Sequence, residues 1–237
     1  MLKHLFINPE QIVLKTGHLV RLDNERSNYI SRVLRARKGD SFVVFDGSGS
    51  ACLATVETSI SGKTEISLGD VQAVPNKDGE LILLASVISH GLEDLVQKAT
   101  ELGVTRIVIA PSTRSQLRKP RIDRLKKIVI GACEQSLRMW LPELELQNNI
   151  IDVFQTITCE QKLIGDTTSS QSSIIKPQNT CLAIGPEGGW TRDEIDTAKL
   201  NGFCPISMGS LTLRSTTAAT VALGLIRHAH QWMKPTV

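Results

Sequence analysis

This 237-residue chain lacks any apolar run of membrane-spanning length. The longest, Leu81 to Ile88, falls far short of the roughly 20 residues a span needs and ends in Ser89-His90-Gly91. Its opening, MLKHLFINPE, has neither a sustained apolar stretch nor a small-residue cleavage site, so a cytoplasmic location is expected rather than secretion. None of the cysteines (Cys52, Cys133, Cys159, Cys181, Cys204) forms a CxxC pair, and no histidine stands at metal-ligand spacing from them. Neither a disulfide framework nor a metal site is expected; the thiols read as small buried hydrophobes in a reducing compartment. The chain has no internal repeat and no low-complexity tract. At 41% its apolar content is ordinary, which excludes a disordered class.

Charge of one sign is also scarce, with a net of only +3. Its distribution is more informative. Arg32, Arg35, Arg37 and Lys38 form one cluster, and Arg114, Arg118, Lys119, Arg121, Arg124, Lys126 and Lys127 form another. Such clusters suit phosphate contacts and also arise as solvated faces.

What is present divides at about residue 72. Leu19–Leu22, Ser41–Phe45, Ala51–Val56 and Thr64–Leu68 read as short strands separated by turns such as Asp46-Gly47-Ser48-Gly49, with one helix near Glu25–Arg35. That pattern predicts a small β barrel. From 73 onward strands and helices alternate. Leu81–Ile88 reads as a strand buried on both faces, followed by a helix with Leu92, Leu95, Val96, Ala99 and Leu102 on one side and Gly103 as its stop. A strand at Arg106–Ala110, a helix at Ile122–Met139, and strands at Lys162–Ile164 and Cys181–Ile184 continue the series. A helix at Arg192–Leu200, a strand at Pro205–Met208 and a helix at Thr216–Trp232 complete it, with 166–180 as a loop. This is the signature of an α/β domain with a mostly parallel sheet.

Two segments at the carboxyl ends of predicted strands, where open α/β sheets bind ligands, carry the candidate chemistry. In Ile184-Gly185-Pro186-Glu187-Gly188-Gly189-Trp190 the glycines let the backbone approach a ligand closely, and Thr191 is placed to cap the next helix. The segment matches neither GxGxxG nor the GxxxxGK phosphate loop, and a plain connecting turn explains it equally well. In Met208-Gly209-Ser210-Leu211-Thr212-Leu213-Arg214, Leu211 and Leu213 suit the walls of an apolar pocket and Arg214 sets a cation at its mouth. Ser215, Thr216 and Thr217, which follow, are natural helix caps. These residues alone do not name a ligand.

Taken together the motifs resemble the RsmE family of 16S rRNA uridine N3-methyltransferases, in the SPOUT superfamily. The resemblance rests on Gly185-Pro186-Glu187-Gly188-Gly189 with Glu194, Gly202-Phe203, Gly209 and Leu213-Arg214. Upstream it includes Gln97–Val104, Ala132–Arg138 and Pro142-Glu143, and in the first part Arg32–Arg35, Gly39-Asp40 and Asp46-Gly47. It implies a PUA-like RNA-binding β-barrel domain over 1–72, then a SPOUT-type parallel-sheet domain over 73–237 with a C-terminal trefoil knot. It also implies a homodimer, S-adenosylmethionine as cofactor, and 16S rRNA of the small ribosomal subunit as partner, with no membrane or metal involved. Carried over residue by residue, the cofactor site comprises Ile184, Gly185, Glu187, Gly188, Gly189, Met208, Gly209, Leu211 and Leu213. Arg214 is the catalytic candidate. Arg32, Arg35, Arg114, Arg118, Lys119 and Arg138 are the RNA-binding ones.

Three positions depart from the family pattern. Thr216 stands where a Glu is usual, Leu211 where an Arg is frequent, and Ser89-His90-Gly91 where a basic residue is usual. The reaction implied must deprotonate uracil N3 or stabilise the uracilate. Arg214 suits charge stabilisation, while Glu187 is either a base or a brace for its turn. His228, His230, Trp190 and Trp232 read as structural. The departures leave room for a relative that binds RNA and cofactor with weakened or lost methyl transfer. An enzyme using a nucleotide cofactor on a small molecule is the other rival, and it leaves the basic clusters without a task.

Overall fold

The computed structural model describes residues 2–60, 63–75, 79–115, 119–167, 169 and 173–230. The chain forms two compact units, Met1–Asn76 with Cys133–Leu141, and Lys77–Ala132 with Pro142–Val237.

The first unit contains strands β1 (His4–Phe6), β2 (Leu19–Arg21), β3 (Ser41–Phe45), β4 (Ser50–Ile60), β5 (Lys63–Leu68) and β6 (Gln72–Ala73), in the order β1-β3-β4-β5-β2 with β6 also paired to β4. Between β2 and β3 lie a short helix α1 (Asn24–Asn28), capped by the Asp23 carboxylate, and a π-helical turn over Tyr29–Leu34. Alternation along the strands sends Phe42, Val44, Ala54, Val56, Ile66 and Leu68 inward, where they meet Leu5, Leu22 and Ile30.

Cys133–Leu141 completes this unit. The Leu141 amide donates to the Gly47 carbonyl (3.0 Å), and the Trp140 indole N–H donates to the Val74 carbonyl (2.9 Å). Glu134 Oε1 accepts from the Phe6 amide and from Arg26 Nη1, both at 2.9 Å. The Asp46-Gly47-Ser48-Gly49 turn therefore has a packing role: Gly49 has φ +100°, and a Cβ there would overlap the Trp140 ring.

The second unit is built on a six-stranded parallel sheet of β7 (Leu81–Ser86), β8 (Arg106–Ala110), β9 (Glu143–Leu146), β10 (Gln161–Gly165), β11 (Thr180–Ile184) and β12 (Phe203–Ile206). Their order is β12-β10-β11-β7-β8-β9. Every residue of β7 and β11 is buried. The reason is that helices cover both faces. On one, α4 (Ile150–Thr156) and α5 (Arg192–Leu200) pack with Ile82, Leu84, Val108, Ile164 and Ala183. By alternation Leu81, Leu83 and Ala85 point to the opposite face. The helices α2 (Leu92–Glu101) and α6 (Ser215–His230) pack on each other, and α6 packs on β11. The long helix α3 spans Ile122–Ser136 and ends at Leu137, which has φ 62°.

Several elements differ from the sequence expectation. The last strand is Phe203–Ile206 rather than Pro205–Met208, which leaves Met208 in the loop that follows. β9 and α4 had no counterpart in the reading, although the Asn149 side chain caps α4 by accepting from the Ile151 amide. After the edge strand β12 the chain returns inward past β10 to lay α6 on β11, the course that a threaded C-terminal segment requires.

Substituting Gly49→Ala should cost about 2–4 kcal/mol, from the crowded ring and the left-handed backbone together. Gly39→Ala, at φ +91° with open space around it, should cost about 1 kcal/mol. Equal losses of stability in denaturant unfolding would show that Trp140 is not packed on this turn.

Candidate functional site

From β7 the chain runs outward through β8 and β9, whereas β11, β10 and β12 lie on the other side. The order in which the chain fills the parallel sheet therefore reverses between β7 and β11, and the carboxyl ends of these strands are where a ligand crevice forms. Four loops meet there: 87–91 after β7, 111–115 after β8, 185–191 after β11 and 207–214 after β12.

Polar ties fix the 185–191 loop. Ser215 Oγ donates to the Gly185 carbonyl (2.8 Å), joining the start of α6 to it. The Trp190 indole N–H donates to the Gly165 carbonyl (3.1 Å), and its ring stacks edge-on against Phe154. Arg114 Nη1 donates to the carbonyls of Gly188 (2.8 Å) and Trp190 (3.2 Å). Thr191 caps α5 as expected, within a reciprocal capping box with Glu194. The Glu194 side chain reaches further, accepting from the amides of Thr113 and Thr191, both at 2.8 Å. At 2% exposure, burial raises its pKa, but these hydrogen bonds outweigh burial and hold the carboxyl below its ordinary value. Glu187 binds the remaining loop: Oε1 accepts from Ser89 Oγ (2.5 Å), the Ser89 amide (2.9 Å) and the His90 amide (3.4 Å). Desolvation raises its pKa as well, and the bonds from Ser89 and His90 again bring it below the usual value.

A cavity of about 560 Å³ lies along this loop. Ile184, Gly185, Gly188, Gly189, Met208 and Leu213 line it, and Asp166, Arg114 and Ser215 reach it. A second cavity, of about 230 Å³, is lined by Gly209 and Leu211 and shares Asp166, Met208 and Leu213 with the first. At Gly185 a Cβ would lie 3.0 Å from the Trp190 ring, which would have to give by a few tenths of an ångström to admit it.

The structure thus brings the expected cofactor residues together around two adjoining cavities, with one exception. Glu187 lines neither, because its side chain turns to Ser89 and His90. Arg214 is exposed at the start of α6, where its carbonyl accepts from the Ala218 amide (2.8 Å), and its guanidinium pairs with no described residue. Arg114, expected at RNA, holds the glycine loop's carbonyls. Lys119 is exposed, Arg118 lies outside the described residues, and Arg32, Arg35 and Arg138 belong to the first unit. The sequence reading missed Asp166 and the tying role of Ser215. Asp166 follows the last residue of β10, so the rule that ligands gather at strand ends was enough to find it. Among the described residues, no group of His, Cys, Asp and Glu is placed to hold a metal, and no helix is long and apolar enough to cross a membrane.

Comparison with known proteins agrees with this architecture. An RNA methyltransferase domain model matches residues 76–227, and an RNA methyltransferase PUA domain model matches 22–67. The chain is similar to ribosomal RNA small subunit methyltransferase E of Synechocystis sp., at 32% identity over 95% of this chain and 77% of the relative. The protein of the same name from Rickettsia conorii is 29% identical, over 84% and 85%. Among solved structures, a putative methyltransferase of Legionella pneumophila in complex with the cofactor SAM superposes with a TM-score of 0.88, at 26% identity over 97% of this chain and 98% of that one. A ribosomal RNA small subunit methyltransferase E of Neisseria gonorrhoeae bound to S-adenosyl methionine gives 0.85, at 27% identity over 96% and 98%. The expected fold class, a SPOUT-type α/β domain behind a PUA-like domain, is the observed one.

Because its native pKa is depressed, Glu194 contributes stability that is present above its unfolded pKa of about 4.3 and is lost as pH falls through the native value. Glu194→Gln should therefore cost about 2 kcal/mol at pH 7 and progressively less in acid. A wild-type-to-variant gap in unfolding free energy that stays constant down to about pH 3 would contradict this.

Proposed function

The chain belongs to the ribosomal RNA small subunit methyltransferase E family, and from that membership we propose that it methylates N3 of a uridine in 16S rRNA. It is an S-adenosylmethionine-dependent rRNA methyltransferase. The methyltransferase reading is supported by the pair of loops, 185–191 and 207–214, tied by Ser215 to Gly185 around adjoining cavities where the strand order reverses, and the finer reading rests on family membership alone.

The residues present suit the cofactor. Ile184, Met208 and Leu213 offer an apolar wall for a flat ring, and Gly185, Gly188 and Gly189 bring bare backbone to the cavity, with the carbonyls of Gly185 and Gly188 already taken by Ser215 and Arg114. The cradle at Gly185 is one a Cβ would crowd. S-adenosylmethionine supplies an electrophilic methyl group there. On the protein's side, uracil N3 attacks well only as negative charge builds on the ring. Arg214, exposed and unpaired among the described residues, is the cation assigned to stabilise that charge on the uracil oxygens. Guanidinium does not act as a resting base. Glu187, held ionised by Ser89 and His90, is a positioning group that joins two loops.

Arg32 and Arg35 in the first unit, with Lys119 and Arg118 in the second, are assigned to rRNA phosphates, and Arg138 is assigned to the RNA or to the subunit contact. A homodimer is proposed, and the exposed Val221 and Leu225, one helical turn apart on α6, offer apolar surface for a second copy. With a ribosomal substrate, the protein is assigned to the cytoplasm as part of the same proposal.

Labelled S-adenosylmethionine and small ribosomal subunits from cells lacking this gene provide the test. N3 methylation removes a Watson–Crick donor, so incorporation should coincide with one reverse-transcriptase stop at a uridine. Incorporation without a stop would place the methyl elsewhere. Cofactor binding without incorporation would favour a relative that has kept its grip and lost its chemistry. Arg214→Ala should lower kcat by about 10²–10³ and leave cofactor affinity unchanged.

A further inference from the structure

The second unit has another cavity, of about 650 Å³, between the loop that follows β7 and the first turns of α3. Leu92, Leu125 and Ile128 give it an apolar floor. Its rim carries charge of both signs, and the ion pairs decide which sign is available. Glu93 is engaged by Arg124, whose Nε and Nη2 each reach a carboxylate oxygen at 2.6 Å. Asp94 is engaged by Lys98, 2.6 Å away. With both carboxylates paired, the charge left over is that of Lys119 and Arg121, both exposed and without a partner among the described residues.

The position of this cavity is as telling as its charge. Ser89 and His90 form its edge, and these are the residues that Glu187 of the 185–191 loop holds. The cavity therefore begins where the cofactor loop ends. An exposed pair of cations over an apolar floor suits a chain that alternates phosphates with sugars and bases. A protein partner would have to leave the two cations unpaired or bring its own carboxylates.

We propose that this cavity seats the RNA backbone beside the target nucleotide, with Lys119 and Arg121 on phosphates and a sugar or base face on the floor. The assignment rests on the rRNA methyltransferase reading of the neighbouring site.

The test is the affinity of the full-length protein for small ribosomal subunits lacking the modification, measured across salt concentrations, for wild type and for Lys119→Ala/Arg121→Ala. Each neutralised phosphate contributes about 0.7–0.9 to the slope of log affinity against log salt. The double variant should therefore bind about tenfold or more weakly near physiological salt, with a slope shallower by about 1.5. Cofactor affinity should be unchanged, which also shows that the variant is folded. Lys119→Arg/Arg121→Lys should restore the slope. An unchanged slope and affinity would overturn the assignment. So would loss of self-association in the double variant, which would mean that a second copy covers the cavity. A shallower slope in a protein that transfers no methyl to N3 would uphold this cavity and sink the catalytic reading instead.

Discussion

Glu194 carries a carboxylate to a place water hardly reaches, and its oxygens receive the amide hydrogens of Thr113 and Thr191. A buried charge is tolerable only while those bonds last. Loop 111–115 and the start of α5 are therefore locked to each other, since moving either would strand the carboxylate. Arg114 adds a second link from the same loop, to the carbonyls of Gly188 and Trp190. Beneath it, the hydroxyls of Ser86, Ser112 and Ser115 form a closed triangle with sides of 2.6, 2.7 and 3.0 Å, joining the ends of β7 and β8. Loops have no ladder to satisfy their backbone groups, so side chains do it here, and the site inherits its shape from them.

The parallel sheet supplies what the loops lack. β7 and β11 are buried along their whole length, so the points from which the loops spring are held by packing on both faces. Two acids, one in the 185–191 loop and one in the first turn of α5, then take different parts. Glu194 fixes two loops to each other beneath the surface, and Glu187, nearer to solvent, holds a third. Two departures from the family pattern also meet here: a Cβ at Gly91 would lie 3.0 Å from Thr216 Cγ2, so the positions lacking the usual basic residue and the usual carboxylate are neighbours. The third, Leu211, is exposed on the 207–214 loop.

Much of this was legible in the sequence where a residue type has only one physical explanation. The apolar run from Leu81, broken only by Ser86, required a strand covered on both faces, and Thr191 ahead of a helical stretch announced a helix start. Two short elements went unread for different reasons: α4 has two turns, too few for a helical period to stand out, whereas the Glu–Leu alternation of β9 over four residues was a strand signal passed over. That Cys133–Leu141 belongs with the first unit could not be read either, because helical periodicity runs through Ala132 and Cys133 without a break. Glu187 illustrates a different limit. Its place in the glycine-rich motif was plain, but the direction of its side chain depended on Ser89, far away in sequence. Ser215 looked like a helix cap and proved to be a tie between loops, which a hydroxyl can do equally well.

The proposed activity needs loops 185–191 and 207–214 to be the two halves of one cofactor site, and the most direct test is a crystal structure of the protein soaked with S-adenosylmethionine. Density bounded by Ile184, Gly185 and Gly189 on one side and by Met208, Gly209 and Leu213 on the other, with Ser215 still bonded to Gly185, is the predicted result. Density at any other place on the chain, or binding that needs the Ser215–Gly185 bond to open, would contradict it.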